Sequence, residues 1–322
     1  MFPTQPNRRD ALRLAAGMGF ATAFGQICLG DDTPSGKPKP GKIGDFKISL
    51  AEWSLHRRLF GADRDPAKVA ERNLDFPKMA REEFGIEAVE FVNQFFQNKV
   101  DDSGYLAELK KRARDQGVKC VLIMIDGEGD LSAPDKAERA KAVENHKKWV
   151  DAALALGCHA IRVNTGNHYS PTNVADASEA CGALAAYGKS NKIRVICENH
   201  GGPSSNPDAL LALIKAVNSD HFGTLPDFGN FPKNDAGAYA IDVYDAIARM
   251  MPFAYGVSAK SHEFKPDGTE AALDYARLMK IVTDAGYHGY VGVEFEGSGP
   301  EPEGVRLTKT LLEKLRGAEY HG

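Results

Sequence analysis

Three carboxylates sit at the ends of short apolar runs in the second half of the chain. Glu198 follows Ile193-Arg194-Val195-Ile196-Cys197, Asp227 follows Phe222-Gly223-Thr224-Leu225-Pro226, and Glu294 follows Tyr290-Val291-Gly292-Val293. One acid in such a place commonly caps the next helix or lines a wet rim. Three that converge on one axis are harder to explain that way, because like charges repel unless a cation or protons neutralise them. A divalent ion is the economical answer, and oxygen ligands with one imidazole at most suit Mn2+, Mg2+, Co2+ or Zn2+. Lys260, in the run Val257-Ser258-Ala259-Lys260-Ser261-His262, has two readings: a donor to an anionic oxygen of a ligand, or a counter-ion to the acids.

Convergence requires a scaffold that aims strand ends at one point. From Asp45 onward, short apolar or β-branched runs alternate with longer amphipathic stretches, the pattern of βα units and a parallel sheet. Eight strands are predicted over residues 46–51, 86–92, 118–125, 160–164, 193–198, 222–227, 253–259 and 290–295, with helices such as 135–156 and 208–217 between them. Gly85, Gly117, Gly157 and Gly289 each precede a strand closely, as helix-ending glycines do. The start-to-start spacing of roughly 35 residues is one strand, one helix and two short loops. Eight such units predict an α/β fold of the (β/α)8 TIM-barrel class, whose active site lies at the C-terminal ends of the strands. A doubly wound open sheet is the alternative, but no Gly-rich phosphate loop follows the first strand.

The motifs ENHGG (198–202), LPDFGNF (225–231), VSAKSHEF (257–264) and GYVGVEFEG (289–297), with VEFVNQFF (89–96) and HAIRVN (159–164), resemble the xylose isomerase-like TIM-barrel superfamily of sugar isomerases, epimerases and inosose dehydratases. The likeness spans Asp45–Arg316. It implies one metal held by a Glu, an Asp, a His and a Glu on strands five to eight, which maps directly onto Glu198, Asp227 and Glu294. Strand seven departs from the pattern: where the family reads close to VHAKD, this chain has Ser258 at the histidine's place. His262, four residues on, and His200, two residues after Glu198 and of the same strand parity, are the candidates for the vacant position.

The resemblance further implies a metal-dependent isomerase or epimerase, with Glu198 and Glu294 facing each other across the metal as the acid and base that remove and return a proton beside a carbonyl, through a cis-enediolate. Glu90, Asn93, Asn164, His168, Asn230 and Glu296 are candidate contacts to sugar hydroxyls, and Trp53 and His56 a wall for the sugar ring. The same proton abstraction can end in β-elimination, so a lyase, dehydratase or 3-keto-glycoside-cleaving enzyme is the second reading. A sugar-binding barrel with a degenerate metal site is the non-enzymatic one. A DNA-repair endonuclease would need a His-rich multi-metal cluster and a basic face, and neither is apparent.

The resemblance implies a small-molecule carbohydrate as partner, and the bulk composition argues against nucleic acid. The 322 residues carry a formal net charge of -4, with 43% hydrophobic and 26% charged residues, an ordinary folded composition without long-range attraction for nucleic acid. At the N-terminus, Arg8-Arg9-Asp10 precede a mildly apolar run from Ala11 to Phe24, the layout of a twin-arginine signal. Residues 1–30 are therefore predicted to direct export, to the periplasm. Residues 31–44, rich in Pro, Gly and Lys, are predicted to form an extended linker to a barrel over 45–322. No later run reaches the ~18 apolar residues of a membrane span. Cys120, Cys158, Cys181 and Cys197 fall in apolar patterns without metal or redox spacing and are predicted to be buried thiols.

Overall fold

A computed structural model describes residues 38–322. The predicted signal and the first part of the linker lie outside the described residues. Eight parallel strands form the central sheet: β1 Lys47–Ala51, β2 Ala88–Val92, β3 Lys119–Ile125, β4 Ala160–Val163, β5 Arg194–Glu198, β6 Phe222–Leu225, β7 Val257–Ser261 and β8 Tyr290–Phe295. Their order is β6-β5-β4-β3-β2-β1-β8-β7. The two ends meet: Tyr255 N donates to Thr224 O (3.0 Å), Ser258 N to Pro226 O (2.9 Å) and Phe228 N to Ser258 O (3.1 Å), closing a (β/α)8 barrel. Pro226 has no N–H to give, which explains why this last seam is a set of bridges and not a full ladder.

Helices cover the outside, and local chemistry sets their ends. Asp65, Asp102, Asp135, Asn206, Asp242 and Asp274 each accept a backbone N–H in the first turn of the helix they precede. The helix Lys136–Leu156 buries Ala142, Val143, His146, Trp149, Val150, Ala153 and Leu156, one stripe at helical spacing, against the sheet. Trp149 meets Phe96 edge to face with ring centroids 5.2 Å apart.

Several boundaries differ from the sequence expectation. The seventh strand is displaced from 253–259 to Val257–Ser261, because Pro252 lies in a 3-10 turn, Met251–Phe253, that delays the extended chain. Gly85, Gly117 and Gly157 take left-handed backbone as expected, but before β8 that turn belongs to Gly286 (φ 78°). Gly289 is needed for space instead, since a Cβ there would lie 2.6 Å from the Tyr287 ring. At the N-terminal side, Gly41–Lys42 pair antiparallel with Glu319–Tyr320 and Ile43 is fully buried, so packed chain begins upstream of Asp45. Cys120, Cys158, Cys181 and Cys197 are buried and unbridged, and burial pushes the Cys181 thiol up to about 12. Among the described residues no helix is long and apolar enough to cross a membrane.

Candidate metal and proton-transfer site

Strand register brings the three carboxylates together. Lys260 on β7 lies opposite Glu294 on β8, and Asp227, just past β6, lies opposite Ser258. Glu198, Asp227 and Glu294 are 1%, 0% and 3% exposed, and one oxygen of each lies within 4.8 Å of the others. The tight turn after β6 orients Asp227: its Oδ1 accepts from Gly229 N (2.7 Å) and Asn230 N (2.8 Å). Glu198 Oε1 accepts from Asn230 Nδ2 (2.9 Å), and Glu294 Oε2 accepts from Ser258 Oγ (2.7 Å). The opposite oxygens, Asp227 Oδ2 and Glu198 Oε2, are buried without a hydrogen bond.

Two buried cations face this cluster. Lys260 Nζ is 3.1 Å from Glu294 Oε1, 3.0 Å from Glu296 Oε2 and 4.0 Å from Asp227 Oδ2, and it donates to Asn230 Oδ1 (3.1 Å). Burial works against its charge, but Glu294, Asp227, Glu198 and Glu296 outweigh it and hold the ammonium well above its usual range. Arg162 Nε lies 2.8 Å from Glu198 Oε2, a charge contact without hydrogen-bond alignment, while its Nη1 donates to Asp126 Oδ1 (2.8 Å). For Asp227, burial pushes the carboxyl well above the carboxylate range and Glu198 and Glu294 add to it, against the pull of Lys260. Glu90, fully buried on β2, is pushed up to about 8, by burial first. Its Oε1 accepts from Ser49 Oγ (2.5 Å) and its Oε2 has no partner.

The surrounding residues sort by what their polar atoms already do. Trp53 Nε1 donates to Glu296 Oε1 (2.9 Å), and the Trp53 ring stacks on His56 at 4.7 Å, an aromatic surface linked through Glu296 to Lys260. Asn93 spends both ends of its amide on the Asp126 backbone (2.8 and 3.0 Å), and Asn164 donates to Asp126 Oδ1 (2.7 Å). Both are thus tied to Asp126 at the wall of the site. His168 pairs with Asp130 Oδ2 (2.9 Å) on the exposed rim.

Neither candidate imidazole joins the carboxylates: among the described residues the grouping is Glu198, Asp227 and Glu294 alone. His200 is exposed, and His262, half-buried, packs against Gly229. Ser258 fills the place itself, too short to reach beyond Glu294. The contribution of Arg162 was not foreseen from sequence. Its signal was there in HAIRVN, a charged residue inside a fully buried four-residue strand, which needs a buried counter-ion.

The donor chemistry fits a divalent cation: three converging carboxylates, with two buried oxygens that accept no hydrogen bond, Glu198 Oε2 beside the Arg162 guanidinium and Asp227 Oδ2, and that a hard ion would satisfy. Beside Asn230, a cavity of about 790 Å³ opens between the turns that follow β5 and β6, lined in part by Gly201, Gly202, Phe231, Lys233 and Arg249.

Residues 80–316 match the protein family described as xylose isomerase-like TIM barrel. No curated protein matches the sequence. Among solved structures the chain is similar to an L-ribulose 3-epimerase, at 19% identity over 84% of this chain and 94% of that one, with a TM-score of 0.64. It is also similar to a probable 3-DHS dehydratase involved in petrobactin synthesis from Bacillus anthracis (16% identity, 83% and 99% covered, TM-score 0.61). A third similar structure is a xylose isomerase-like TIM-barrel protein from Mycobacterium smegmatis in complex with magnesium (17%, 84% and 96%, 0.60). Identities this low speak to the fold alone.

Proposed function

The chain belongs to the xylose isomerase-like TIM-barrel family, and on that footing we propose that it is a sugar isomerase or epimerase that works by proton transfer beside a carbonyl. One observation carries the reading: Glu198, Asp227 and Glu294 converge, buried, with Lys260 among them. Glu198, Asp227 and Glu294 would hold a divalent ion, which when bound supplies Lewis-acid polarisation of a substrate carbonyl. Glu198 and Glu294 stand on β5 and β8, on different sides of the site, so one is placed to take a proton from carbon and the other to return it. Lys260, 3.1 Å from Glu294, is placed to donate to the enediolate oxygen. Trp53 and His56 offer a ring surface for the sugar face.

A lyase is the second reading, favoured by the fold shared with a probable dehydratase. Both reactions start with the same C–H cleavage. The Arg8-Arg9-Asp10 leader supports a free or oxidised sugar met outside the cytoplasm as substrate. The test is to incubate a panel of keto- and aldo-sugars, free and oxidised, with the protein in D2O. Solvent deuterium is expected at the carbon beside the carbonyl, and an isomer or an eliminated fragment then separates the two readings. If the wild type exchanges no C–H with any of the panel, both are wrong.

A further inference from the structure

We propose that Ser258 sets the cation preference of this site, making it an all-oxygen centre for Mg2+ or Mn2+ that discriminates weakly in favour of Zn2+. The inference rests on the reading of Glu198, Asp227 and Glu294 as cation ligands.

Every group here that could donate an electron pair to a cation offers oxygen, since Lys260 and Arg162 enter as cations. Asp227 Oδ2 and Glu198 Oε2 are free of hydrogen bonds. Glu294 is turned by Ser258 Oγ at 2.7 Å on one oxygen and by Lys260 at 3.1 Å on the other. Ser258 is fully buried, lies across the barrel seam from Asp227 and reaches Glu294 with its hydroxyl, so its side chain stands beside the carboxylates. A larger donor at this position would point into the cluster; serine holds Glu294 and adds only a hydroxyl. The two imidazoles in the vicinity stand elsewhere, His200 exposed and His262 against Gly229. Hard carboxylate and hydroxyl oxygens suit Mg2+ and Mn2+, whereas nitrogen and sulfur donors are what raise affinity for Zn2+ and Co2+. The ammonium of Lys260, 4.0 Å from Asp227 Oδ2, offsets part of the negative charge and moderates affinity for every divalent ion alike. Donor type at position 258 is then what separates the metals.

The experiment is calorimetric titration of the full chain, stripped with a chelator, with Mg2+, Mn2+ and Zn2+ separately. The wild type is expected to bind each as one ion per chain, and Ser258→His to raise the ratio of Zn2+ to Mg2+ affinity at least tenfold. Circular dichroism checks the fold of that variant. Should the imidazole not be accommodated, Ser258→Cys, close in volume, places a thiolate at the same point and is expected to move the ratio in the same direction. The proposal is overturned if the folded variant leaves the ratio unchanged, or if the wild type binds none of the three ions. Deuterium exchange is scored separately, so failure of the metal ratio and failure of the proton-transfer reading are distinguishable.

Discussion

Two sets of buried acids occupy the barrel, and they differ in what their oxygens touch. Glu52, in the 3-10 turn after β1, is fully buried, yet both oxygens are satisfied: Asn73 Nδ2 donates to Oε1 (2.6 Å) and Val92 N to Oε2 (2.8 Å). It ties the end of β1 to the end of β2 and to the helix Pro66–Phe84. Glu198, Asp227 and Glu294 are equally buried, but they face one another, and two of their oxygens are left without a hydrogen bond. Burial of a carboxylate is therefore no mark of function. Crowding of like charges with orphaned oxygens is, because a fold gains nothing from that arrangement unless a ligand completes it.

The largest expected effect separates the two sets by chemistry. Glu294→Gln or Glu198→Gln should lower deuterium exchange into a substrate by about 10²–10⁴-fold while circular dichroism stays that of the wild type. Glu52→Gln should leave the exchange rate within a few fold. Equal losses in both sets would break the comparison.

Next in size is the support under Glu198. Arg162→Met leaves Glu198 and Asp126 facing each other without their shared cation, and removing one partner of a buried pair costs about 3–5 kcal/mol. Urea denaturation measures it. A loss under about 1 kcal/mol would place Arg162 among surface-like pairs and remove it from the site.

Smallest is a pH effect from Glu52 alone. Burial pushes its carboxyl from 4.5 up to about 8, against the opposing hydrogen bonds from Val92 and Asn73. Between those values the folded state holds a proton that the unfolded chain has released. The stabilisation is therefore complete below about pH 4.5 and is lost as pH rises through about 8. Its slope reaches at most about 1.4 kcal/mol per pH unit. Comparing wild type with Glu52→Gln in urea at pH 6 and pH 9, the wild type should lose more stability over this interval. Identical slopes would show that Glu52 titrates normally.

Much of this was legible in one dimension. Strand and helix periodicities, spaced by short loops, announce a barrel, since each βα unit leaves its pattern within a few residues of itself. The acids at strand ends were legible for the same reason: Glu198, Asp227 and Glu294 each interrupt an apolar run. What was not legible depends on contacts distant along the chain. Asn93 reads as a free polar group until Asp126, 33 residues on, is found occupying both ends of its amide. Arg162 reads as a strand residue until Glu198 and Asp126 are seen flanking it. Strand seven was misplaced because Phe253 and Ala254 are as apolar as a strand requires, and only the turn at Pro252 delays it.

The amino-acid order was thus sufficient for the barrel, for which strands carry the acids, and for the serine at position 258, because each follows from local pattern and residue identity. Tertiary structure alone decided how the charge of the site is balanced. Lys260 and Arg162 enter the cluster, while His200 and His262 stand outside it, because strand register and turn geometry, not spacing in sequence, determine which side chains share the few ångströms over which charges in a buried site act strongly.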